Sequence, residues 1–135
     1  MNPAAQRDKE AELLFVGDEM RRAIASYYHR GPVRQYPATL EDLLKDPRFP
    51  QPVRHLRQRY RDPVTNSAEW GLVLAQGGGI MGVYSLSEAR PFKRANFAGA
   101  NASFADRAEA LGEKITYRDW QFVYIPGMPG VWFPR

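Results

Sequence analysis

The chain has 135 residues, 44% of them hydrophobic, which predicts a single folded domain over 1–135 and excludes wholesale disorder. It contains no cysteine, so disulfides, thiol catalysis and thiolate metal sites are excluded. Its net charge of +4 is local, because the stretch 48–61 holds five arginines and no acid.

A long amphipathic helix is the first predicted element and covers residues 6–30. Six apolar positions share one stripe, at the three- and four-residue spacing of a helix: Leu13, Val16, Met20, Ala23, Ile24 and Tyr27. The opposite face is charged, and Asp18 precedes Arg21 and Arg22 by a spacing that suits ion pairs. Because no strand or cap is evident before this helix, its abrupt start favours the cut end of a longer one.

Loops with short helices are predicted over residues 31–68. Gly31 and the proline after it stop the first helix, and Thr39 is placed to cap a short helix whose apolar face is made of leucines. A second short helix is predicted over 53–60, and a turn that begins at Asp62 follows it.

An antiparallel sheet is predicted over residues 69–125. Its first two strands cover 70–74 and 80–86 and are joined by a loop with three consecutive glycines. Strict alternation along the second strand places Ile80 and Val83 on opposite faces.

A short helix over 104–111 and a third strand over 120–125 complete the predicted domain. The bulky side chains of that strand share one face: Trp120, Phe122 and Tyr124. The tail 126–135 is too apolar for a free end, so we expect it to pack on the body or to meet a partner. Its apolar residues are Met128, Val131, Trp132 and Phe133. A long helix before an antiparallel sheet of about three to four strands is an α+β order, without the βαβ alternation of nucleotide-binding folds.

Several short motifs follow the long helix in a fixed order. Tyr36-Pro37 precedes the short helix, the turn at Asp62-Pro63 comes after the stretch LRQRYR, and two strands flank the glycine loop. This order and spacing resemble the type IV pilin-like superfamily, and specifically a pseudopilin of the type II secretion system. The resemblance covers residues 6–86, in which the long helix matches the soluble half of the family's spine helix.

The resemblance implies a structural protein with no catalytic residue and no cofactor. In that family the spine helix continues an N-terminal membrane segment, so a periplasmic domain anchored in the bacterial inner membrane is expected. Such a subunit polymerises through its N-terminal helix, with copies of itself or with other pseudopilins, on the inner-membrane platform of the secretion system. A separate cytoplasmic ATPase supplies the energy for exporting folded proteins.

The calcium loop of that family is the main point of departure. Major pseudopilins bind calcium in an acidic loop after these strands, and the matching stretch 85–96 has Glu88 as its only carboxylate. Because calcium takes about six to eight oxygen ligands, usually including several carboxylates, no tight site is predicted. A weak calcium site near Glu88 stays open as the alternative.

Charged side chains supply the candidate interface residues. On the first helix, pairs between neighbouring subunits are expected from Glu10, Asp18, Arg21 and Arg22. The arginine cluster is interpreted as a solvated loop that pairs with acids of neighbouring subunits or of the first helix. Its members are Arg48, Arg54, Arg57, Arg59 and Arg61. The alternative is a nucleic-acid-binding or DNA-uptake pilin-like protein, in which these arginines contact phosphates and Phe49 and Tyr60 stack on bases.

Catalytic motifs are missing from the chain. His29 and His55 lie in no HExxH pattern, and no serine lies in a GxSxG setting. His29 is expected at the end of the first helix, where a cation complements the macrodipole. The sequence therefore does not predict an enzyme.

Overall fold

A long helix packed against a three-stranded antiparallel sheet forms the framework of the computed structural model, which describes residues 2–131. The helices and strands are α1 (Pro3–Arg30), β1 (Gly71–Leu74), β2 (Ile80–Tyr84), α2 (Phe104–Leu111) and β3 (Phe122–Val123). Short 3₁₀ turns lie at Glu41–Leu43, Gly99–Asn101, Gly112–Lys114 and Tyr117–Asp119. The predicted α+β class is confirmed, with three strands in the order β1-β2-β3.

Helix α1 begins at Pro3, three residues before its predicted start. The Asn2 side chain accepts a hydrogen bond from the Ala5 backbone N–H at 2.9 Å, so an N-cap does precede the helix, contrary to the prediction. Proline suits the first helical position because it has no N–H to leave unsatisfied. The helix ends at Arg30, and Gly31 follows it as predicted.

The inner stripe of α1 is buried against the sheet, as predicted. Gly17 lies on the same stripe, and a Cβ at this position would overlap the ring carbons of Phe122. The missing side chain therefore lets α1 approach β3 closely, and the Phe122 ring fills the space. Trp120, Phe122 and Tyr124 are all buried, which confirms their shared face.

A bulge in β2 changes the predicted facing of its side chains. Val73 pairs with Gly82 and Leu74 pairs with Ile80, so Met81 has no partner in β1. The extra residue breaks the two-residue alternation. Ile80 and Val83 are consequently both buried in the core, and their predicted placement on opposite faces is wrong.

The segment between α1 and the sheet lacks its second predicted helix. Thr39 Oγ1 accepts from the Asp42 N–H at 3.3 Å and starts a 3₁₀ turn. The backbone N–H groups of His55 and Leu56 both donate to the Leu43 carbonyl, at 2.8 and 2.9 Å. These bonds tie the 53–60 stretch to the turn, and residues 55–58 form bends in place of the predicted helix.

The later turns and α2 follow the prediction closely, but the third strand is shorter than its predicted 120–125, because only Phe122 and Val123 pair with β2. Asp62 closes its turn through a 2.7 Å bond from the Asn66 N–H, and Gly112 ends α2 with a φ of 57°. In the tail, Met128 and Val131 pack against the core. The prediction for Trp132 and Phe133 lies outside the described residues.

Candidate functional site

Glu10, the first of the four candidate interface residues on α1, points into the domain. Glu10 is 4% exposed, and its carboxylate accepts hydrogen bonds from the backbone N–H groups of Phe92 and Lys93 and from the Tyr117 hydroxyl. Burial, together with the bond to Glu10, raises the pKa of Tyr117, so its hydroxyl stays a donor. The prediction that Glu10 pairs with a neighbouring subunit is therefore corrected, because its carboxylate holds the loop that follows β2.

Arg21 is the second candidate that points inward, and it is 3% exposed. Its Nε donates to the Val123 carbonyl at 2.9 Å, and its Nη1 donates to Asn101 Oδ1 at 2.7 Å and to Asp18 Oδ1 at 3.0 Å. The guanidinium carbon also lies 5.5 Å from the centre of the Phe122 ring. Arg21 joins α1 to β3 inside the domain, so its assignment to an intersubunit pair is corrected as well.

The outward face of α1 keeps the other two candidates and an exposed phenylalanine. Asp18 stays half-buried beside Arg21, and Arg22 donates to Glu19 at 2.7 Å. Phe15, one turn before Asp18, is 59% exposed. Sequence reasoning missed Phe15, although a bulky apolar residue off the apolar stripe was the signal that could have found it.

The arginine cluster of 48–61 does not offer five free cations. Arg48 turns inward: its Nη2 donates to the Tyr27 carbonyl at 2.7 Å, and its guanidinium carbon lies 3.7 Å from the centre of the Tyr27 ring. Three of the others have nearby partners: Arg54 the Arg57 carbonyl, Arg59 the Glu41 carboxylate, and Arg61 the Asn66 carbonyl. Continuous contact with a phosphate backbone needs several free cations on one surface, and Arg48 is not available for it.

A buried polar network joins Asp46, Arg48 and His55 to Ser26 on α1. Ser26 lies far from the other three in the sequence. Asp46 Oδ1 accepts from Arg48 Nε at 2.9 Å, and Asp46 Oδ2 accepts from Arg48 Nη2 at 2.6 Å. His55 Nε2 lies 2.9 Å from Asp46 Oδ2, and His55 Nδ1 lies 2.7 Å from Ser26 Oγ. Burial alone would raise the pKa of Asp46, but the hydrogen bonds from Arg48 and His55 lower it to about 2.

Ser26, His55 and Asp46 are hydrogen-bonded in the order of a nucleophilic triad. The sequence analysis did not predict that these three residues lie together. A triad serine must reach a substrate beside an oxyanion-binding group. Here the His55 side chain is 2% exposed, and Arg48 shares the carboxylate that would orient it. We interpret the network as a clamp that fastens the 46–56 segment to α1.

The clamp predicts that acid weakens the fold through His55. Because a carboxylate only accepts, neutral His55 donates from Nε2 to Asp46 and accepts from Ser26 at Nδ1. Burial lowers the pKa of His55, against the opposing effect of Asp46. The unfolded chain therefore takes up the proton first, and stability is complete above about pH 6.5 and falls as the pH drops towards the folded pKa.

Urea unfolding of the protein and of His55→Gln across this pH range checks the prediction. The free energy of unfolding should fall more steeply on acidification for the parent protein than for the variant. Equal slopes would show that folding does not lower the pKa of His55, and would contradict the prediction.

The loop over residues 85–96, where the sequence left a weak calcium site open, is held by α1. Glu88, its single carboxylate, is exposed. Within residues 2–131, no three His, Asp or Glu side chains come together in a way that could hold a metal ion. The carboxylate of Glu10 instead binds the loop backbone at Phe92 and Lys93. A side chain of α1 therefore fixes this loop.

Glu10→Gln is therefore expected to destabilise the protein by about 2 kcal/mol, because bonds to a charged acceptor are replaced by weaker ones to an amide. Thermal unfolding with calcium and with a chelator should give the same Tm for the parent protein. Glu12→Gln, at an exposed position of the same helix, is the matched control and should change stability little. A Tm that rises with calcium would contradict the assignment of loop fixation to Glu10.

Comparison of the chain with protein-family models, with curated proteins and with solved structures found no match. Among residues 2–131, no helix has the length and apolar character needed to cross a bilayer.

Proposed function

We propose that the chain is the globular domain of a type II secretion pseudopilin, a structural subunit of a short periplasmic filament that exports folded proteins. The observation that supports this most is the 28-residue α1, which packs one stripe on an antiparallel sheet and keeps a second face outward. The order of the YP step, the Asp62 turn and the glycine hairpin supports it further. The role is mechanical, and no residue is assigned a catalytic step.

The outward face of α1 is the proposed assembly surface. Phe15 is its centre, because an aromatic ring that is largely exposed gains most from burial against a neighbouring subunit. Asp18 and Arg22 lie three and seven residues further along and supply polar contacts at the rim. Glu10 and Arg21 hold the subunit together and are excluded from this surface.

Filament growth requires a contact that does not close on itself. A head-to-tail contact between two different patches generates an open helix unless the rotation closes into a ring. We therefore place the Phe15 surface against a different patch of the next subunit, which is another copy or another pseudopilin. The secretion platform of the inner membrane and its ATPase are the further partners that this role requires.

Deletion of the gene in its host tests the proposal. In the deletion strain, folded cargo is expected to accumulate in the periplasm. In the parent strain, the protein is expected in the inner-membrane fraction, with this domain accessible to protease from the periplasm. Complementation with the parent gene should restore export, Phe15→Ser should restore it poorly, and Leu74→Ser at an exposed sheet position is the matched control. Undiminished export in the deletion strain would overturn the proposal.

A further inference from the structure

A basic and aromatic surface lies beside the first turns of α1, and the assembly proposal does not use it. We call it the basic loop surface, and its residues are Arg7, Arg90, Phe92, Lys93 and Arg94. The stretch 89–96 carries three cations and no acid. Phe92 is 44% exposed, and the guanidinium carbon of Arg7 lies 5.7 Å from the centre of its ring.

The backbone holds Phe92 in this exposed position. Gln6 Nε2 donates to the Arg90 carbonyl at 2.9 Å, and Glu10 accepts from the N–H groups of Phe92 and Lys93. Pro91, between them, is buried. Because side chains of α1 fix the loop on both sides of Phe92, the exposure of the ring is built into the fold.

The charges of this surface are only partly neutralised. Arg94 Nη2 donates to the Ala108 and Gly112 carbonyls at 3.0 Å, so it is partly occupied. The Arg90 guanidinium has no hydrogen bond or ion pair within the part of the chain that the structure describes, and Lys93 Nζ lies 5.4 Å from the centre of the Phe97 ring. The acids nearest in sequence to these groups are Asp8, Glu10 and Glu88, and Glu113 lines the same cleft as Arg90 and Arg94.

We propose that the basic loop surface docks on an anionic phospholipid bilayer. The inference rests on the proposed function, in which the N-terminal end of α1 is the end nearest the inner membrane. Cations close to an anionic bilayer are attracted to its headgroups, and an aromatic side chain among them buries its ring at the boundary with the acyl chains. Docking holds the unassembled subunit against the membrane from which it is drawn into the filament.

A bilayer fits this surface better than a nucleic acid does. Single-stranded nucleic acids are bound along grooves in which several aromatic rings stack on successive bases. The basic loop surface has one exposed ring, Phe92, with the Arg7 guanidinium beside it and three further cations in the same loop. A bilayer supplies both the negative charge for the cations and the apolar depth for Phe92.

Vesicle co-sedimentation of the 135-residue chain tests the inference. Binding to vesicles of phosphatidylglycerol and phosphatidylcholine is expected, and it should weaken with salt and be lost on vesicles of phosphatidylcholine alone. The double variant Arg90→Glu, Lys93→Glu should bind at least about 25-fold more weakly, at about fivefold for each cation removed. Phe92→Ala should bind about tenfold more weakly.

The matched control is the double variant Arg54→Glu, Arg57→Glu, which makes the same change of charge in the segment fastened to the other end of α1. It should keep most of the vesicle binding, and circular dichroism should show all variants folded. Equal losses in the two double variants, or equal binding to neutral vesicles, would overturn the inference. So would a single-stranded oligonucleotide that binds more tightly than the vesicles and depends on the same residues.

The vesicle and deletion experiments fail independently. Absence of binding to anionic vesicles would overturn the docking proposal and would not affect the proposed export role. Normal export in the deletion strain would remove the export role, while the vesicle measurement would still report what the basic loop surface binds.

Discussion

Asp46→Asn is expected to lower the free energy of unfolding by about 3–5 kcal/mol, the cost of leaving a buried cation without its anion. The carboxylate of Asp46 accepts from Arg48 through both oxygens and from His55 through Oδ2. An amide at this position turns an NH₂ group towards at least one of these donors. Arg48 would then stay beside Tyr27, largely shielded from water and without a carboxylate to pair with.

Urea unfolding of Asp46→Asn and of Asp42→Asn measures this effect. Asp42 lies four residues earlier, is less buried and has no ion pair within the described residues, so its variant is the matched control and should change stability by about 0.5 kcal/mol or less. A loss below about 1 kcal/mol for Asp46→Asn would mean that the clamp does not depend on charge. The double variant with Arg48→Met should recover part of the loss, because it removes the stranded cation.

Phe122→Ala is expected to cost about 3–5 kcal/mol, because it empties the space that Gly17 leaves between α1 and β3. The ring is fully buried, stands edge-on to Phe104 and lies beneath the Arg21 guanidinium. Its loss creates a cavity and also removes the packing surface of a buried cation. Equilibrium unfolding in urea gives this value directly.

Gly17→Ala provides a sharper test of the same contact, because its effect should change sign. In the parent protein the new methyl group overlaps the Phe122 ring, so a loss of about 1–3 kcal/mol is expected despite the better helix propensity of alanine. In the Phe122→Ala background the overlap is gone, and the same substitution should stabilise by about 0.5–1 kcal/mol. A stabilising effect in the parent protein would show that α1 and β3 do not meet so closely.

Elements with a clear periodicity could be predicted from the sequence. The α1 stripe from Leu13 to Tyr27 and the inward face of residues 120–124 repeat at the periods of a helix and a strand, and both are confirmed. The Met81 bulge could not be predicted, because it depends on how β2 aligns with β1. The absent helix at 53–60 likewise depends on tertiary packing, since the N–H groups of His55 and Leu56 bind the Leu43 carbonyl of a separate turn.

The charged residues of α1 show a second limit of sequence reasoning. A charge on an amphipathic helix is expected to face water, but Glu10 and Arg21 find partners 80 to 107 residues further along the chain. The clamp of Ser26, Asp46 and His55 is likewise formed only when the 46–56 segment packs on α1. Such pairings depend on tertiary packing, which leaves no local pattern in the sequence.

Cross-linking from position 15 in living cells tests the assembly role of α1 most directly. A photo-reactive phenylalanine analogue at Phe15, in the complete gene product, should give a ladder of cross-linked subunits when the secretion system is active. The ladder should disappear in a strain that lacks the assembly ATPase. A monomer band alone in the active strain, with the variant stable and export intact, would contradict assembly through this face of α1.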